Sequence, residues 1–214
     1  MGKIQKAEET LLQYRWSEQS KRTPRDCQLW EKVQEFRDYF SDMLFEYDSE
    51  TRKYLECKIS DGPDEKWIAD EVPLPDGIHF FSYDSFCYRV RKMKDPYMAS
   101  FNQRSYSLTV DPRYLDDDFP ILHEMIHMHE FILEIYPQYY RDVVLHCLYQ
   151  KLGRRMGAGK LNQRIIDHLQ IANQRNYAQT VGTHDLLFLL KSFEIDLQRG
   201  YKLGTVFGYG MSEA

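Results

Sequence analysis

Between Ile121 and Glu130 the chain reads Ile-Leu-His-Glu-Met-Ile-His-Met-His-Glu, with titratable side chains threaded through an apolar run. No other stretch constrains the fold as strongly. Leu122, Met125, Ile126, Ile132 and Leu133 recur at helical spacing and offer a face to bury. His123 and His127 then share one side of that helix, a turn apart, where both imidazoles can reach a single ion. Glu124 is rotated about 100° from His123 by the helical period, which sets its carboxylate beside such an ion rather than on it. A carboxylate there can take a proton from a polarised water and return it to a leaving group. Zn²⁺ is the expected ion.

A catalytic zinc site needs a third protein ligand. If Pro137 marks the turn of a helical hairpin, His127 and His146 stand nearly equidistant from it and come level across the pair. His146 is therefore the expected third ligand. Asp142, one turn earlier, could hold a ligand imidazole through a carboxylate–histidine hydrogen bond. Glu194, at the border of a later apolar helical face, is the alternative ligand; a buried salt bridge is the other use for a carboxylate in that place. Glu130 and Glu134 share the face of His123 and His127. The helical rise, however, sets Glu130 about 10 Å along the axis from His123, so a role beside the ligands suits both glutamates better. His79, His129, His168 and His184 read as structural or surface residues.

The flanking sequence predicts an α+β fold. Thr23, Pro24 and Asp26 form a helix start, and Leu29, Val33, Phe36, Phe40 and Met43 follow as an amphipathic stripe. An earlier helix is expected over Ile4–Trp16. From about Tyr54 to Val110, short aromatic and β-branched runs are broken by Asp61-Gly62-Pro63, Pro75-Asp76-Gly77 and Asp95-Pro96. The candidate strands are Tyr54–Ile59, Trp67–Val72, His79–Tyr83, Cys87–Lys92 and Tyr106–Val110, joined by short loops into a mostly antiparallel sheet. Pro120 opens the histidine-bearing helix. Further helices follow over Gln138–Leu152 and Leu161–Asn176, and from an N-cap at Thr183 to a C-terminal cap at Gly200. The expectation is one domain over 1–214: helical to 45, a sheet over 50–112, and helical over 119–200, with the histidine-bearing helix at 120–136.

On His123-Glu124-Met125-Ile126-His127 the chain resembles the zincin superfamily of metallopeptidases, defined by HExxH on a helix below a small sheet. The resemblance implies His123 and His127 as zinc ligands, Glu124 as general base, and a peptide substrate added along a sheet edge. Arg104–Val110 is a candidate for that edge or its neighbour. The xxGxxH continuation of metzincins is absent after His127. The layout is closer to gluzincins, with His146 at the spacing where they carry a Glu. The function so implied is an intracellular zinc-dependent peptidase acting on a protein or peptide. The alternatives are a catalytically inactive zincin-fold binding or regulatory protein, with Asp116-Asp117-Asp118 and the 16 tyrosines as partner surface, and a hydrolase of non-peptide amides. Tyr201 and Tyr209 are candidates for stabilising an oxyanion.

Composition narrows the partners. A net charge of −5 argues against general nucleic-acid binding. A mean hydropathy of −0.62, with no apolar run of roughly 18 residues, argues against a membrane span. Cys27, Cys57, Cys87 and Cys147 are scattered, and no apolar signal core follows Met1–Lys6, so a reducing, cytoplasmic setting is expected. Lys151, Arg154, Arg155, Lys160 and Arg164 surround a glycine-rich turn and read as a solvated connection. The turn Gly153–Leu161 is not a nucleotide-binding loop, because its first Gly is one residue early and no Ser or Thr follows Lys160.

Overall fold

The structure, a computed structural model, describes residues 21–43, 46–48, 53–55, 86–135, 138–174 and 184–208. It is a mixed α+β fold whose chain forms two compact units, Met1–Gln138 and Tyr139–Ala214.

In the first unit, α1 spans Pro24–Phe36 and continues as a 3₁₀ segment over Arg37–Met43. Thr23 caps it. Its hydroxyl accepts the Asp26 N–H, and the Asp26 carboxylate accepts the Thr23 N–H at 2.8 Å, which closes a capping box. The other Asp26 oxygen accepts the Val90 N–H at 2.7 Å, so the cap also ties α1 to the sheet. Burial pushes the Asp26 carboxyl up. The bonds from Thr23 and Val90 outweigh that effect and leave it below the ordinary aspartate value. Leu29, Val33, Phe36 and Phe40 are buried, as the stripe predicts.

A short antiparallel ribbon pairs β1 (Glu46–Asp48) with β2 (Lys53–Leu55). The main sheet holds β3 (Cys87–Val90), β4 (Ala99–Asn102) and β5 (Ser107–Val110) in the order β3-β5-β4. It is mixed rather than mostly antiparallel. β3 runs parallel to β5 and β4 antiparallel to it. The connection 91–98 is long enough to carry the chain past β5, and the turn 103–106 folds it straight back. Asn102 Oδ1 shapes that turn by accepting the N–H groups of Arg104 and Ser105, and Tyr106 closes it at φ 47°. The expected strands Trp67–Val72 and His79–Tyr83, and the helix over Ile4–Trp16, lie outside the described residues.

After β5, Asp111 accepts hydrogen bonds from Arg113 Nε and from the amides of Met93 and Arg113. These donors hold its carboxyl well below the usual range. Helix α2 then runs Asp118–Ile135, with Pro120 in the first turn, where a missing N–H is harmless. Ile121, Leu122, Met125, Ile126, Met128, Ile132 and Leu133 are buried. Phe131 packs among Phe86, Phe101 and Tyr106 at ring separations of 5.5–6.3 Å, which seats α2 on the sheet.

The second unit carries α3 (Gln138–Met156), α4 (Ala158–Gln174), α5 (Leu186–Arg199) and α6 (Thr205–Gly208). Gly157, at φ 86°, ends α3 in the left-handed conformation that favours glycine. The N-cap of α5 is Asp185 rather than Thr183. Its carboxylate accepts the Leu187 and Phe188 amides and pairs with Arg141. Aspartate next to the first turn also suits the positive end of the helix. Gly200 ends α5 as expected. From Leu187 to Asp196 every side of α5 is buried, including Lys191. Beyond it, Asp196 accepts the amides of Gly204, Thr205 and Val206. Burial nonetheless pushes its carboxyl up to about 6. No helix among the described residues is long and apolar enough to cross a membrane.

Candidate metal centre

Helix α2 presents His123 and His127 with ring centroids 5.2 Å apart and planes inclined by 75°. His123 is buried and His127 partly exposed, so the pair lies where α2 turns from core towards solvent. Burial holds the His127 imidazole below its ordinary pKa, with the Glu124 charge pulling the other way. Its Nδ1 lies 3.3 Å from Glu130 Oε2.

Glu124 is buried, and its Oε2 accepts the Phe101 N–H of β4 at 2.7 Å. The bond locks the helix to the sheet edge and fixes the carboxylate against the backbone. It also engages one amide of β4, an edge strand of the described sheet. β5, within the stretch 104–110, is the central strand of the three, so that stretch is the neighbour of an edge and not the edge itself.

The remaining candidates fall in different surroundings. Glu130 is buried beside His127, whereas Glu134 is exposed. His146 and Asp142 share a face of α3, as their spacing requires, and that face is exposed; Val144, Cys147, Leu148 and Leu152 form the buried one. Glu194 meets Lys191 Nζ at 2.5 Å and Lys151 Nζ at 2.8 Å, a buried carboxylate between two ammonium groups. Tyr201 accepts a hydrogen bond from Arg199 Nε at 3.0 Å, beneath the guanidinium. His129 is fully buried and stacked on Phe40. His168 packs on Phe193 with Nδ1 on the Arg164 carbonyl. His184, half-buried, packs on Phe188 and Phe207 just ahead of the α5 cap. His79 and Tyr209 lie outside the described residues.

Helix α2 thus sets two imidazoles a turn apart with a buried carboxylate next to them. Compared with known proteins, the chain matches no family model, no curated protein and no solved structure.

Proposed function

We propose that this chain is a zinc-dependent hydrolase of protein or peptide substrates, zincin-like in layout, with His123 and His127 as ligands and Glu124 as general base. One observation carries the reading. On α2, His123 and His127 lie a turn apart with ring centroids 5.2 Å from each other, and the buried Glu124 stands between them in the chain. Two imidazoles and one further protein ligand would suit a tetrahedral Zn²⁺ that keeps its fourth position open for chemistry. When bound, zinc supplies Lewis-acid polarisation of water and of a substrate carbonyl.

The protein's own groups do the rest. The depressed pKa of His127 keeps its lone pairs available near neutral pH. Glu130, by engaging Nδ1, leaves the ligand role to Nε2. Glu124, oriented by the Phe101 amide, carries the proton between water and leaving group. His146, expected as the third ligand, is left out of this proposal because it lies on the exposed face of α3.

The test is metal analysis of purified protein alongside cleavage of a quenched-fluorescence peptide library. Stoichiometric zinc and turnover are expected in the wild-type chain, and Glu124→Gln should keep the zinc and lose turnover. His127→Ala should lose the metal, while His146→Ala should retain it. Protein without zinc, or hydrolysis that survives Glu124→Gln, defeats the proposal. The bond from Phe101 to Glu124 also favours a second reading, in which the carboxylate is structural and the protein binds zinc without catalysis. Zinc-loaded wild-type protein with no turnover would support that reading.

A further inference from the structure

Where α3 passes into α4, the second unit carries an open, solvent-facing cavity of about 680 Å³. Three cations line it: Arg155, Lys160 and Arg164. Arg155 has local employment, since its guanidinium donates to the Leu197 carbonyl at 3.0 Å and it sits in the last turn of α3, where positive charge is favoured. Lys160 and Arg164 have no such explanation. They stand one turn apart on α4, so their charges repel. Lys160 also lies in the first turn of α4, against the positive end of the helix, and that turn holds no acidic residue. The one carboxylate on the lining, Asp167, accepts from Gln163 Nε2 at 2.8 Å. Met156 and Leu203 add half-buried apolar surface.

Positive charge gathered in a concave site, inside a chain whose net charge is −5, calls for an anion. The volume falls in the range of roughly 300–1,000 Å³ typical of small-molecule pockets, which sets the scale of the ligand. We propose that this cavity binds a phosphorylated small molecule, its phosphate oxygens on Arg164 and Lys160 and its less polar part on Met156 and Leu203. Guanidinium and ammonium groups match phosphate as a forked and a point donor respectively. The site resembles no phosphate-binding loop, since a helix precedes the turn, and its charge comes from side chains.

Calorimetric titration of the full chain with inorganic pyrophosphate at low salt tests this. Saturable one-to-one binding is expected. Lys160→Ala combined with Arg164→Ala should weaken it by about tenfold or more, with circular dichroism unchanged. Each single change should weaken it several-fold, which covers a double variant that folds poorly. Lys94→Ala, at an exposed lysine of the first unit, should bind as wild type. Binding should persist in His127→Ala, which separates this cavity from the proposed metal centre. Absence of saturable binding, equal affinity in the double variant, loss in His127→Ala, or tighter binding of a single-stranded oligonucleotide than of pyrophosphate would each overturn the assignment.

Discussion

His127 lies under opposing influences: burial disfavours its charged form, and the Glu124 carboxylate favours it. Burial wins, which suits a side chain proposed to offer a lone pair to zinc. Glu130 adds orientation through Nδ1. If that contact sets the ligand nitrogen, Glu130→Gln should lower zinc affinity by about 10–100-fold, as loss of a ligand's carboxylate partner commonly does, with little change in helix content. Competition against a chromophoric chelator measures it, and undiminished affinity would show that the contact is incidental. At this scale the sequence was informative for neighbours and weak for strangers. His123, Glu124 and His127 are related by helix geometry, which spacing alone defines. His146, expected level with His127 across a helical turn, stands 19 residues on and lies on the exposed face of α3. No periodicity relates residues so far apart.

At the scale of elements, caps account for much of what was legible. The start of α1 could be read at Thr23 because a capping box has a fixed spacing. The bond from Val90 to Asp26 could not, since it joins residues 64 apart. Asp26→Asn should therefore destabilise the first unit by about 1–3 kcal/mol, more than a surface cap alone, as measured by chemical denaturation at pH 7. The Asp26 carboxyl is held below its unfolded value, so this contribution is present above about pH 4 and fades as pH falls through the folded value. Asp196 has the opposite sign. Its folded pKa is raised to about 6, so its contribution is full below the unfolded value and is lost as pH rises through 6. Amide resonances of Gly204, Thr205 and Val206 should titrate together with that midpoint, and Asp196→Asn should abolish the titration. β4 went unread because Ala99-Ser-Phe-Asn lacks β-branched residues. The parallel pairing of β3 with β5 depends on the path of the intervening chain, to which alternation is blind.

Over the whole molecule, a metal that binds only the folded chain raises stability by mass action. At zinc concentrations about 100-fold above the dissociation constant the gain is about 2.7 kcal/mol. The thermal midpoint should rise with added zinc and fall with chelator, and neither shift should occur in His123→Ala. The Phe101 amide has a consequence of a different kind. Amides on a sheet edge ordinarily trade their hydrogens with solvent quickly, through small local fluctuations. This one is held by a buried carboxylate of the adjoining helix, so its hydrogen should leave only when helix and strand separate. In deuterium oxide the Phe101 signal should outlast its edge neighbours, and Glu124→Ala should erase it early. That single resonance is a clock for the opening of the surface on which the histidines stand.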